Sequence, residues 1–454
     1  MFLALLASLS GRAKARPQCV GSEWVGTIAG TGLGYTVALE DNVAAIPEYD
    51  GVGAIHVFER ASATWTPFAT LTPQDASGRI GFPQAVGASA VCIVGSAPFD
   101  DDHGQLAGAL YVFQAEGGLW QPARKLYAAD AYAGLRLGWS VAVSGDTIVA
   151  GAPYGWAAYV FHFDGTAWSQ EARLVPNSTD GVGFFGESVA IDGNLIAVGD
   201  SDDYTDGLGA GAAYVFERDA AGAWRQSAKI RPIGNVALNK FGRRVAISGS
   251  TFLSGGYQAN GQQMYAGAAY VFERNLGGVW TQTARLIASD GENSDVFGGT
   301  VALDRNVAVI GAWGDDDVAL SAGAAYVFVR GADGVWRETA KLTAPDGAAD
   351  DNFGDAVAVS GDTAIIGAWH HDTNGPNSGA AYVFAVGPDH DGDGVMDVCE
   401  CLGDLNADRM IDELDLGLML QAWYATQSGD LDGDADTDES DLGLLLANWQ
   451  ATCP

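Results

Sequence analysis

The chain has 454 residues, 48% of them hydrophobic and 62 of them glycine, which suits a large turn-rich globular core and excludes a disordered polymer. A formal net charge of −34 excludes nucleic acid as a partner, because affinity for phosphates needs clustered Lys and Arg. Residues 388–454 hold 17 Asp and Glu against the single Arg409, so about half of the net charge lies in a tail or a set of cation loops.

Taken from the N-terminus, residues 1–16 read as a short signal peptide with an apolar stretch from Phe2 to Leu9 but no basic start. No later stretch is long and apolar enough to form a transmembrane segment. Of the five cysteines, Cys19, Cys399, Cys401 and Cys453 flank the main body or the tail, which suits stapling outside the cell. Cys92 lies in the strand-like "AVCIVG" and is expected to be buried and free.

An internal repeat dominates the middle of the chain. "GAAYVF" occurs at 211–216, 267–272, 323–328 and 379–384, with weaker copies at 53–58, 108–113 and 156–161. The central Val falls at 57, 112, 160, 215, 271, 327 and 383, so seven copies recur about every 56 residues. Each copy predicts four short strands. In the last complete one, "AVAVSG" and "TAIIGAW" alternate around a Gly-containing turn and "GAAYVF" supplies the third strand. A fourth strand follows in copies one to six, as in "GVWRETAKL" at 334–342. The fold class expected is mainly β, a seven-bladed β-propeller over residues 19–387. Trp65, Trp120, Trp168, Trp224, Trp280 and Trp336 mark fourth strands, and the seventh copy lacks one. The stretch around Trp24 supplies it, so an N-terminal strand is expected to close the ring.

The pairs Phe185-Gly186, Phe241-Gly242, Phe297-Gly298 and Phe353-Gly354 open their units, and "GAP" (151–153) and "GAW" (311–313, 367–369) close second strands. These motifs resemble FG-GAP repeats, the blades of the propeller in integrin α-chains and in many bacterial surface proteins. Copies one to three are expected to keep only the Gly, at Leu33-Gly34, Ile80-Gly81 and Leu137-Gly138. The resemblance implies that some blades carry a calcium loop between the first two strands. Here "SGDT" (144–147, 360–363), "DGN", "SGST" and "DRN" stand there, each the length of a hairpin turn and short of oxygen ligands for Ca²⁺. The turn reading is preferred.

Strand direction places the loops between second and third strands, and the linkers between blades, on one face. That face receives "FDDDHGQ" (99–105), "DSDDYTDG" (200–207), "GDDDVALS" (314–321) and "HHDTNGPNS" (370–378), with Trp313 and Trp369 at strand ends. In integrins the corresponding face binds ligands. Two readings stand open: solvated acidic loops with packed Trp residues, or a protein- or glycan-binding surface using Trp313, Trp369, His370 and His371.

The tail carries three cation loops. "DLNADRMIDELD" offers Asp404, Asn406, Asp408, Asp412 and Asp415, with the Met410 carbonyl at position seven. "DLDGDADTDESD" offers Asp430, Asp432, Asp434, Asp438 and Asp441, with the Asp436 carbonyl. Each loop leads into an apolar helix, and the pair over 402–454 resembles a type I dockerin, a small α-helical EF-hand-like calcium module. Arg409 and Ala435 stand where Gly best tolerates the loop's sharp turn. Glu413-Leu414 and Glu439-Ser440 replace the small hydroxyl pair by which dockerins read cohesins. "DHDGDGVMDVCE" (389–400), with Asp389, Asp391, Asp393, Val395, Asp397 and Glu400 as ligands, resembles a thrombospondin type 3 calcium repeat and makes 388–401 a linker. Cys453 is placed to bridge Cys399 or Cys401, with Cys19 taking the other.

The function expected is a secreted or surface-displayed, non-catalytic binding or adhesion scaffold. Its propeller would recognise a protein or glycan, and its tail, loaded with two or three Ca²⁺ ions, would dock to a cohesin-like or other protein partner. The alternative is a polysaccharide-active glycosidase or lyase carried by the dockerin-like module.

Overall fold

The computed structural model describes residues 20–25, 30–49, 53–61, 64–73, 81–116, 119–121, 123–178, 180–234, 237–259, 265–386, 413–422, 442 and 445. Contacts divide the chain into two compact units, of which the larger spans Val20–Pro388.

That unit is a ring of seven antiparallel sheets. Blades one to six occupy 38–71, 86–126, 140–174, 188–230, 245–286 and 300–342, each in simple up-and-down order. Blade six shows the plan: strands Thr300–Asp304, Val307–Ala312, Ala324–Arg330 and Trp336–Leu342. First strands are short and meet their counterparts around the axis, while fourth strands lie outermost. Blade two is broken on its outer edge, where Leu119–Trp120 and Arg124–Leu126 both pair with the third strand.

Blade seven combines Ala356–Ser360, Thr363–Ala368 and Ala380–Ala385 with the N-terminal strand Val20–Val25. The ring therefore closes as the sequence predicts, but in a different register. Trp24 pairs with Ala381, the place that Leu342 takes opposite Ala325 in blade six, whereas Trp336 lies opposite Arg330. Trp24 thus does not substitute for the missing outer Trp. It packs in the seam with blade one, stacked on Phe58 at 4.0 Å and edge-on to Trp65 at 6.0 Å.

The core lies between blades. Leu253, Val271 and Leu286 of blade five face Phe297, Ile310, Tyr326 and Phe328 of blade six, all buried. The Phe of each Phe-Gly pair enters such a seam and meets Tyr and Phe of the third strand edge-on, as Phe297 does with Tyr326 at 5.4 Å and Phe328 at 5.9 Å. Burial of one such ring stabilises by about 1.5–3 kcal/mol. In blade two this ring is Phe82, fully buried and 5.3 Å from Tyr111. Phe82-Pro83 and not Ile80-Gly81 is therefore the counterpart of Phe-Gly there, a correction to the sequence reading. The glycine before the third strand, present in every blade but the third, where Trp156 stands, is required by proximity: Gly323, at φ 85°, bridges to Phe353, and a Cβ on it would lie 2.1 Å from the Phe353 carbonyl oxygen.

The "SGDT" segments are two-residue hairpin turns. Ser360 pairs with Thr363, and Gly361 takes φ 58° between them. In blades three to seven the last residue of the first strand also stitches blades together. Asp304 accepts the Gly361 N–H at 2.7 Å, Ser248 that of Arg305 at 2.9 Å, Asp192 that of Gly249 at 2.6 Å, and Ser360 that of Asp41 at 3.0 Å. The recurrence of Ser or Asp at this point follows from that ring of bonds. In the outer seams, third-strand arginines reach back one blade, Arg330 to Glu273 at 2.8 Å and Arg274 to Glu217 at 2.6 Å.

In the second unit the described structure is the helix Glu413–Ala422, with Met419 fully buried, and the buried helical residue Leu445. Among the described residues no helix is long and apolar enough to cross a membrane.

Candidate functional site

The acidic loops on the face predicted to bind ligands are largely committed to the fold. Asp315 is 2% exposed and pairs with Lys341 of the fourth strand at 2.7 Å. The same Lys341 ammonium meets Asp290 of the linker at 2.8 Å and Asp317 at 2.7 Å, while the single proton of the Tyr326 hydroxyl is within reach of both Asp290 and Asp315. Blade four repeats this with Lys229 and Asp203, and blade two with Lys125, Asp100 and Asp102. One cation thus ties loop and fourth strand together, and in blade six the incoming linker as well. In blade seven His371 stands at the Asp315 position. It is 4% exposed, with Asp346 at 3.2 Å and Asp351 at 3.0 Å from its ring nitrogens. His371 therefore presents nothing to the surface. His370 stacks on Trp369 at 3.5 Å and meets the Asn352 side chain at 2.6 Å. Trp313 lies over Gly299, whose Cβ would come within 2.8 Å of the indole nitrogen.

A second set of residues converges on the axis. The residue after each Phe-Gly, or its counterpart, rims the central channel: Tyr35, Gln84, Trp139, Glu187, Arg243, Gly299 and Asp355. All but Gly299 line a cavity of about 330 Å³, joined by Arg244 and by a lower tier of first-strand valines. Its two halves differ in chemistry. Blades one to three give Tyr35, Gln84 and Trp139. Trp139 is held edge-on by Tyr154 at 5.6 Å and Phe184 at 6.1 Å, and Tyr35, 41% exposed, by Trp369 at 5.6 Å. Blades four, five and seven give the charges. Glu187 accepts from the Ser201 hydroxyl and lies 3.8 Å from Arg243, which stacks over Tyr257 at 5.1 Å.

Arg244 replaces a structural hydroxyl. At the same point Ser140, Ser188 and Thr300 donate to the carbonyl of the next blade's Phe-Gly glycine, at 3.2, 2.9 and 2.6 Å. Arg244 instead donates to the Arg243 carbonyl at 3.1 Å. Asp355 is half-buried, and among the described residues no hydrogen bond or ion pair holds its carboxylate. Burial raises its pKa, against the pull of the Arg244, Arg243 and His370 charges.

A family model described as "FG-GAP repeat" matches residues 65–113, 120–161, 168–216, 224–272, 280–328 and 336–384. The chain belongs to the FG-GAP repeat family. Each matched FG-GAP unit runs from the fourth strand of one blade to the third strand of the next, which is why a strand from the other end of the ring must complete blade seven. Two solved structures are similar. "Crystal structure of RRP9 WD40 repeats" aligns with a TM-score of 0.50 at 9% identity, covering 81% of this chain and 99% of that one. "Structure of U3-55K" aligns with a TM-score of 0.47 at 8% identity, covering 82% and 97%. At this identity the first is a likeness of fold alone. No curated protein matches.

Among the described residues of this FG-GAP propeller no group of three or more His, Cys, Asp and Glu could hold a metal ion. Of the expected calcium ligands, Asp415 falls in the helix Glu413–Ala422. The others, from Asp389 to Asp412 and from Asp430 to Asp441, lie outside the described residues, as do Cys19, Cys399, Cys401 and Cys453. Cys92 is free and buried, its thiol pushed up to about 12 by burial. The mouth residues were passed over in the sequence because each varies between copies. The usable signal was that variation, at one fixed point beside an otherwise repeating motif.

Proposed function

We propose that the protein is a non-catalytic binding scaffold whose propeller recognises its ligand on the face built from the second-to-third-strand loops and the blade linkers. The observation that carries this reading is the contrast on that face between loop acids spent on internal ion pairs and an axial mouth whose seven rim positions carry seven different residues. Such a mouth presents a distinct surface on a rigid frame. Residues 402–454 act as a dockerin-like module that folds on Ca²⁺ and docks to a second protein, and 388–401 forms a calcium-stiffened linker. Secretion or surface display is supported by the signal-peptide-like N-terminal segment and by the placement of the cysteines. The test is a binding screen of the full chain against native surface proteins and glycans, with Ca²⁺ and with EDTA. Calcium-dependent capture through 402–454, together with ligand binding that mouth or loop substitutions abolish, is expected. Absence of both sinks the reading.

A second reading, a polysaccharide-active enzyme, draws on Asp355 and Glu187 sharing one cavity with the Asp355 carboxyl raised. Against it, Glu187 is already bonded to Ser201 and faced by Arg243. Release of reducing ends from polysaccharides, lost in Asp355→Asn, would favour the enzyme.

A further inference from the structure

We infer that the axial mouth is a binding site for a neutral saccharide, one or two sugar rings of a longer glycan, an assignment that rests on the binding-scaffold reading above. The argument begins with hydrogen-bonding capacity. A guanidinium only donates and a carboxylate only accepts. Arg244 uses one donor on the Arg243 carbonyl, and the Asp355 carboxylate beside it accepts from no described residue. A ligand that meets both must donate and accept from adjacent atoms. A carboxylate or phosphate would suit Arg243 and Arg244 but be opposed by Asp355 and Glu187. An ammonium group would meet the reverse conflict. A pair of neighbouring hydroxyls satisfies both sides, donating to Asp355 and accepting from Arg244.

Opposite these charges the mouth is aromatic. Tyr35 and Trp139 stand on blades one and three, and their neighbours fix their ring planes. Gln84 lies between them and donates to the Tyr35 hydroxyl at 3.2 Å. A pyranose has one face of C–H groups and an edge of hydroxyls, so it matches a cavity with one aromatic and one charged side. The volume of about 330 Å³ is at the small end of ligand pockets and admits one or two rings. Blade six adds no polar side chain beside these groups at its rim position, Gly299, over which Trp313 lies.

The experiment uses the full chain and titrates it with gluco-, manno-, galacto- and xylo-configured neutral oligosaccharides, with galacturonate oligomers and an oligo-aspartate peptide as charged probes. Calorimetry and Trp fluorescence read binding. At least one neutral series is expected to bind, weakened tenfold or more by Asp355→Asn and by Arg244→Ala, and little changed by Asp146→Asn, an exposed turn residue on the opposite face. Trp139→Phe, which preserves packing, is expected to alter the fluorescence response. Melting curves establish that each variant is folded, and Arg244→Lys stands in if Arg244→Ala is not. Failure of every neutral saccharide to bind overturns the inference, as does binding insensitive to both variants. A preference for uronates or the acidic peptide, strengthened by Asp355→Asn, overturns it in favour of an anion site. A protein ligand mapped to the outer loops, with no saccharide bound, sinks this inference while leaving the scaffold reading intact.

Discussion

Lys341→Met should be among the most damaging single substitutions outside the apolar core. The change keeps most of the stem and removes the ammonium that serves Asp290, Asp315 and Asp317. The partners are unequal. Asp290 and Asp317 side chains are 40% and 56% exposed, so each of those pairs contributes roughly 0–1 kcal/mol. Asp315 is 3% exposed, and stripping a buried carboxylate of its cation costs about 3–5 kcal/mol. The Tyr326 hydroxyl still donates to Asp315 at 2.9 Å, which places the net loss near the lower end, about 3 kcal/mol. The sign of the pH dependence follows. Burial pushes the Asp290 carboxyl up, but the bonds from Lys341 and Tyr326 outweigh it and hold the pKa below the usual value. That contribution is present above the unfolded pKa and lost as pH falls through the folded one. In the variant the uncompensated carboxylates take up protons more readily, so its deficit is largest near pH 7.5 and shrinks toward pH 4.5. Urea unfolding followed by Trp fluorescence at both pH values measures this. A deficit below about 1 kcal/mol at pH 7.5, or one unchanged at pH 4.5, would refute the view that this ion cluster is buried and internally balanced.

Three further outcomes are expected. Gly34→Ala places a Cβ 2.3 Å from the Ala380 carbonyl oxygen at φ 83°, whereas Gly145→Ala, at φ 55°, meets nothing within 4 Å. The first should cost several kcal/mol and the second about 1 kcal/mol in thermal or chemical unfolding, and equal costs would contradict the close packing at the closure seam. Asp200 and Asp295 are both raised to about 6, chiefly by burial, so the stability they confer is present below pH 4 and lost as pH rises through 6. Asp200→Asn with Asp295→Asn should flatten stability between pH 4.5 and 7.5 by a measurable part, and an unchanged slope would show these carboxyls ionise freely. EDTA should lower the melting temperature of a transition assigned to residues 389–454 and leave the propeller transition in place. A propeller that melts much earlier in EDTA would reveal an ion within the ring.

The blade count, the strand order and the closing strand were legible because each blade must bury both faces against neighbours, which forces the same apolar pattern into every copy. The register of the closing strand was not. Trp24 resembles the outer Trp of other blades in type, yet it pairs five residues further along the third strand, where Phe58 and Trp65 offer it a seam. Phe82-Pro83 was hidden by the nearer match Ile80-Gly81, since a pattern of letters does not report which ring reaches Tyr111. The sequence left the loop-face aspartates open between solvated and ligand-binding roles because their partners lie elsewhere in the chain, on fourth strands such as that of Lys341. Conversely, the mouth was unreadable as a site because its members come from seven places about 55 residues apart and meet only when the ring closes.

In a ring of near-identical blades, the departures from the repeat separate structural need from recognition. The recurring polar residues have structural explanations: turn residues stitch neighbouring blades, lysines neutralise loop acids, and hydroxyls on first strands hold the next Phe-Gly. Blades two, five and seven lack that hydroxyl, with Ala85, Arg244 and Ala356 in its place, and of these only blade five substitutes a charge. With Arg244 it gives up the hydroxyl bond that Ser188 and Thr300 make, worth about 1 kcal/mol, and places a guanidinium in the channel beside another at Arg243. Blade seven sets the partly buried Asp355 near both without a hydrogen bond to satisfy it. Stability alone favours neither choice, because an unsatisfied buried carboxylate and a forgone blade stitch both cost free energy. A ligand that completes those hydrogen bonds gives the two departures one cause, and the aromatic half of the mouth, built from different blades, points to the same occupant.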